Sequence, residues 1–253
     1  MTIRRLKRIL LTLLAAALLF GGENVSGDDR LNTLFADYWD ARMRNYPTWA
    51  TYLGDHRFDS LLTDHSDSAH AGRLAETQAF LSRLEAIPTD GLSAADQLNY
   101  QLFERELRDA IDGAAFRDHL MPLTQQGSPP TSFAELPTYH PLNTVADIEN
   151  YIARLRAFPR LVEQVIANMK LGMDEDLVPA RITIEKVIPQ IEGLMTRDPA
   201  EHILAEPAQR LPDDLPAALR ERLEREIILA VRDEVIPAYR SLDRFIRDRY
   251  LRV

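Results

Sequence analysis

Between residues 144 and 171, apolar side chains recur every three or four positions: Ile148, Tyr151, Ile152, Leu155, Phe158, Val162, Val165, Ile166 and Met169. On a 3.6-residue helix these positions form one stripe that must be buried, whereas a strand would scatter them over both of its faces. Thr144-Val145-Ala146-Asp147 precedes the stripe as a capping box, the Thr hydroxyl serving the Asp N–H and the Asp side chain reaching back. Pro159 lies inside the stripe, lacks an N–H, and is expected to kink or divide the helix.

The same spacing governs the rest of the chain, and alternating strand patterns are scarce. A first helix is expected over 28–46, with Leu31, Leu34, Phe35, Tyr38 and Trp39 on one face. Pro47 then opens a short helix over 48–53, for which Gly54 is a natural stop. Asp55 to Asp59 reads as a charged loop. Further helices are expected over 68–86 and after Ser93, whose Ser93-Ala94-Ala95-Asp96 is a weaker capping box, with Leu98, Leu102, Phe103, Leu107 and Ile111 following. Ile184, Val187, Ile188, Ile191, Leu194 and Met195 mark another helix, and a last one covers 216–251 with a disturbance at Pro237. The stretch 122–143, holding Pro122, Pro129, Pro130, Pro137 and Pro141, reads as an irregular proline-rich loop of the length that lines clefts or links parts. The fold class expected is all-α, a multi-helix bundle-like array. The apolar spacing of the final helix continues through Leu242, Phe245, Ile246 and Tyr250 with no later element to cover it, so that helix is where exposed apolar surface is expected.

At the N-terminus, Arg4, Arg5, Lys7 and Arg8 precede the apolar or small run Ile9 to Phe20, twelve residues long. A membrane span needs about 20 residues, so this pattern reads as a secretory signal peptide over 1–27, with Val25-Ser26-Gly27 as the cleavage site. A helical domain over 28–253 would follow, exported to the periplasm or secreted, without a stable membrane span after cleavage. The 253-residue chain has no Cys, which removes disulfides, thiolate zinc sites and cysteine nucleophiles. A formal net charge of −9 makes nucleic acid an improbable partner, because phosphate affinity comes from Lys and Arg.

No catalytic motif emerges from spacing. His-Glu-x-x-His, which would place two imidazoles on one helix face, is absent, as are a Gly-x-Ser-x-Gly elbow and a Gly-rich phosphate loop. Asp174-Glu175-Asp176 lacks the alternation of a calcium loop and reads as a solvated turn. His65 and His70, five apart in a Ser/Asp-rich stretch, read as exposed loop histidines. The candidates for a substrate cleft are Asp55, His56 and Arg57, and Tyr139 and His140 in the proline-rich stretch. Each has a plain alternative. Arg57 could grip a ligand carboxylate or phosphate, or only pair locally to fix its turn. Tyr139 could touch a ligand or only pack its loop.

The segment from Tyr46-Pro47-Thr48-Trp49-Ala50-Thr51-Tyr52-Leu53-Gly54-Asp55 through His56-Arg57-Phe58-Asp59 resembles the opening signature of domain-of-unknown-function family 885 (DUF885). Asp96 to Phe103, Asn150-Tyr151-Ile152-Ala153-Arg154-Leu155 and Val178-Pro179-Ala180-Arg181 continue the resemblance in order, over roughly 30–250. The family resembles secreted or lipid-anchored bacterial zinc metallopeptidases of largely helical, zincin-like fold and about twice this length. The resemblance implies a His-Glu-x-x-His helix and a further Glu ligand in a C-terminal half, with a peptide as substrate. No catalytic residue and no metal ligand carries over to any position here. This chain is therefore expected to correspond to the N-terminal half, to hold no cofactor itself, zinc being implied only for full-length relatives, and to be inactive alone. Its implied partner is a separately encoded or missing C-terminal half. The alternative expectation is a non-catalytic exported binding or scaffold module.

Overall fold

The computed structural model describes residues 28–252, so the signal-peptide reading of 1–27 lies outside the described residues. Among them are nine α-helices and no strand, the all-α class that the spacing predicts. In chain order these are α1 (Asp29–Asn45), α2 (Pro47–Leu53), α3 (Asp67–Glu85), α4 (Ala94–Ala114), the short α5 (Pro129–Ser132), α6 (Val145–Asp174), α7 (Arg181–Gly193), α8 (Ala217–Ala230) and α9 (Ile236–Asp248). No described helix is long and apolar enough to cross a membrane.

Local chemistry sets the helix ends. Asp28 caps α1, its carboxylate accepting from the N–H groups of Arg30 and Leu31. Ser66, Ser93 and Thr144 cap α3, α4 and α6, each accepting from the N–H three residues on. The Thr144–Asp147 box is formed in both directions. Gly54 ends α2 at φ 91°, a left-handed conformation that costs a glycine little.

The apolar residues form two separate clusters. The smaller one holds Leu31, Leu34, Phe80, Leu84, Phe103 and Leu107 from α1, α3 and α4. The larger is built around α6, with α8 and α9 packed against it and α7 packed against α9. Residues 46–66, which connect α1 to α3, run along α6. Their contacts advance in step with that helix: Leu61 meets Arg154, Asp64 meets Arg160 and Gln164, and His65 meets Gln164 and Asn168.

Several expectations are corrected. α6 passes through Pro159 without dividing, because the one backbone bond lost is outweighed by a stripe buried from Ile148 to Met169. The final helix is not uncovered: Leu242, Phe245, Ile246 and Tyr250 are all buried in the larger cluster. The disturbance expected at Pro237 is present, as a π-helical turn, Val231–Val235, joining α8 to α9. The proline-rich stretch is structured, α5 running into a 3-10 helix, Phe133–Thr138, whose Phe133, Leu136 and Pro137 are buried. Trp39, Leu98 and Leu102 lie on exposed faces of their helices, not in the core.

Candidate functional site

The signature segment is organised around one side chain. Arg154 sits inside the apolar stripe of α6, fully buried, and its guanidinium spends its donors on residues far away in sequence. Nε donates to the carbonyl of Leu61 at 2.9 Å. Nη1 donates to Nδ1 of His140 at 3.0 Å. Nη2 donates to the Thr51 hydroxyl at 2.7 Å and to the carbonyls of Pro47 at 3.1 Å and Phe58 at 3.3 Å. A buried cation is tolerated only when paired and hydrogen-bonded in this way. Burial lowers the pKa of Arg154 to about 10, with Asp59 acting against that shift, so the side chain stays charged at neutral pH.

Its counter-charge lies one residue further out. Thr51 accepts from Arg154, and its own proton faces Asp59 Oδ1 at 2.5 Å, with the Pro47 carbonyl a longer acceptor at 3.0 Å. The other Asp59 oxygen meets Nδ1 of His56 at 2.9 Å. The Asp59 side chain is 1% exposed and that of His56 54%, so the chain Arg154–Thr51–Asp59–His56 leads from the core to the surface. A carboxylate only accepts, which places the Nδ1 proton on His56.

His140 belongs to the inner end of this chain. It is buried, and its Nε2 donates to the Asp147 carbonyl at 2.9 Å while Nδ1 accepts from Arg154. Burial lowers its pKa to about 4, so it is a neutral bridge with both nitrogens occupied. Tyr139, next to it, meets Tyr52 edge-on with ring centroids 5.9 Å apart. His56 and His140 are thus linked through Asp59, Thr51 and Arg154, and Tyr139 meets α2 at Tyr52.

Asp55 and Arg57 lie outside the buried chain. Arg57 Nη2 contacts Asp55 at 2.6 Å and Asp40 of α1 at 2.8 Å, and Nε contacts Asp55 at 2.9 Å. Hydrogen bonding to Arg57 holds the Asp55 carboxyl below its usual range. The guanidinium is therefore already compensated by two carboxylates, the local-pairing arrangement. On α2, the helix that leads into this turn, the rings of Trp49 and Tyr52 are exposed and stacked with centroids 5.3 Å apart at 18°.

A second polar region escapes sequence reasoning. His65, His70 and His119 line a cleft of about 690 Å³ with Asp67, Arg117 and Asn168. His70 and His119 stack at 4.2 Å, and His119 Nε2 lies 2.9 Å from Asp67 Oδ1. His65 and His70 are therefore partly buried cleft residues, not exposed loop histidines, and burial lowers both to about 4. His119 is the member that no local spacing could supply, since it lies 49 residues beyond His70.

Zinc, which the family resemblance implies for longer chains, does not fit the described residues. No group of three His, Cys, Asp or Glu side chains among them could hold a metal ion. The three histidines of the cleft include a stacked pair whose rings lie side by side at 17° instead of converging.

The sequence pattern described as "Bacterial protein of unknown function (DUF885)" matches residues 47–253. Among solved structures, a candidate lipoprotein from Colwellia psychrerythraea is similar with a TM-score of 0.74 at 19% identity, over 88% of this chain and 42% of that one. A candidate lipoprotein of unknown function from Shewanella oneidensis is similar with a TM-score of 0.57 at 17% identity, over 87% of this chain and 38% of that one. This chain therefore spans less than half the length of both. Among curated proteins nothing matches. At such identity the structural likeness concerns the fold.

Proposed function

The chain belongs to the bacterial DUF885 family, and from that premise we propose that it is the exported, helical recognition part of a zinc-peptidase-like architecture, inactive as a peptidase by itself. Its ligand-facing surface is residues 46–59 together with Tyr139. The observation that carries this reading is the Arg154 network, which holds the signature segment rigidly from behind while its aromatic side chains face outward. A buried arginine serving α2, the following turn and His140 is a costly way to fix a surface loop, and such cost is common where a site needs preorganisation. In this reading 28–253 is one helical unit located in the periplasm or outside the cell. The metal and its water-activating chemistry belong to a C-terminal half supplied by the longer family members, and the ligand is a peptide. Export is supported by the basic-then-apolar pattern of the first residues and by the lipoprotein descriptions of the two similar structures.

The test is peptide binding by the purified chain. Fluorescein-labelled decapeptides of mixed sequence are expected to bind, and Trp49→Ala to weaken them about tenfold, a typical cost for an aromatic contact. The chain is expected to cut none of them with or without added zinc. Equal binding by the variant, or no binding, overturns the recognition surface. Hydrolysis by the chain alone overturns its assignment as inactive.

One observation favours a second reading, a free-standing exported binding or scaffold module. The apolar face of α9 is already covered by α6 and α7, so no further element is needed there. The readings separate when the remaining segment of a longer family member is expressed apart and mixed with this chain. Stable association supports the first, and its absence at high concentration supports the second.

A further inference from the structure

We infer that His56 presents Nε2 as a fixed hydrogen-bond acceptor, and that with the acidic rim and the α2 aromatic pair it binds a protonated primary amine of the ligand. The inference rests on the recognition reading and names the ligand chemistry. Three observations carry it. First, Asp59 takes the Nδ1 proton of His56 at 2.9 Å, and the Asp59 carboxylate is itself fixed by Thr51, which Arg154 holds. In the neutral imidazole the opposite ring nitrogen is then an acceptor, and among the described residues no protein group hydrogen-bonds to it. In a side chain 54% exposed, that acceptor is available to a ligand N–H. Second, Asp40 and Asp55 share the single Arg57 guanidinium, leaving this rim with an excess of one negative charge. A ligand carboxylate is disfavoured there, and a cation is favoured. Third, the exposed ring of Trp49, stacked on Tyr52 in the helix leading into the same turn, has a face that attracts cations.

A protonated primary amine could come from a peptide's amino terminus or from a lysine side chain, and the measurement separates the two. With the chain labelled with 15N at histidine, the His56 ring signals at pH 8 are expected to show Nδ1 protonated and Nε2 bare. Glycinamide is expected to shift the Nε2 signal, and N-acetylglycinamide, which lacks the amine, to leave it in place. With peptides, N-acetylation is expected to weaken binding about tenfold if the terminus is the source, and lysine-to-norleucine replacement to do so if the side chain is. His56→Phe, which keeps an exposed ring and removes the acceptor, is expected to abolish whichever preference is found. If glycinamide leaves the His56 ring unshifted, or if His56→Phe keeps the amine preference, the inference is overturned while peptide recognition can stand. If glycinamide shifts the ring and no peptide binds, the amine site stands and peptide recognition falls.

Discussion

Residues 46–66 meet α6 at two polar places that deal with buried charge in opposite ways. At Arg154 the side chain cannot lose its proton at neutral pH, so the surroundings supply three carbonyls, a hydroxyl and an imidazole to satisfy it. In the His65–His70–His119 cleft the groups can lose theirs, and burial keeps His65 and His70 neutral with few partners in an open space. One place is a permanent weld. The other favours uncharged His65 and His70, because burial penalises their charged forms.

The largest effect that could break this contrast is removal of the weld. Arg154→Met leaves Asp59 without its counter-charge and strands His140 and three carbonyls, so a loss of about 3–5 kcal/mol is expected in urea unfolding. A loss below about 1 kcal/mol would mean that the network is not what holds the signature segment. Next comes Gly172, on the turn of α6 that carries the cleft's loop. A Cβ there would lie 2.6 Å from the Leu177 carbonyl oxygen and 2.7 Å from that of Leu120, both backbone atoms. Gly172→Ala is expected to cost about 1–3 kcal/mol and to displace the neighbouring His119.

Acid sharpens the comparison further. His65 and His70 have folded pKa values near 4, below the unfolded value near 6.5. Between these values the unfolded chain binds more protons, so their contribution is complete above pH 6.5 and is lost as pH falls towards 4. His140 adds the same sign from within the weld. On the order of 1 kcal/mol for each of His65 and His70 is expected once solvent screening is allowed for. In melting curves from pH 7.5 to 4.5, His70→Gln should flatten the decline, and an unchanged slope would contradict the role given to the cleft. The smallest effect is expected at Tyr250, whose buried hydroxyl has no partner among the described residues. Tyr250→Phe should change stability by less than about 0.5 kcal/mol or raise it slightly.

The helices were legible because burial stripes and caps are local. The Ile148 to Met169 spacing and the Thr144 box each sit within a few turns of chain. Arg154 was not legible as a core residue, because a charge between Ile152 and Leu155 reads as a solvated position, and its partners Thr51 and Asp59 lie about a hundred residues upstream. Asp55, His56, Arg57, Tyr139 and His140 could be picked out by residue type. That His140 is sealed inside follows from its bonds to Asp147 and Arg154, 7 and 14 residues on, and so from the burial of Arg154, which residue type alone does not reveal. The histidine cleft joins α3 to the loop before α5, and local spacing carries no signal for such a meeting. The covering of α9 was misjudged for a related reason, since α6 and α7, which cover it, come earlier in the chain.

The central claim, that one arginine fixes the signature segment as a presented surface, is tested most directly by hydrogen exchange. Lys cannot reproduce the guanidinium fork, so Arg154→Lys is expected to speed exchange selectively across 46–62 while the α1–α3–α4 cluster keeps its protection. Unchanged protection of that segment, or an equal loss throughout the chain, would contradict the account.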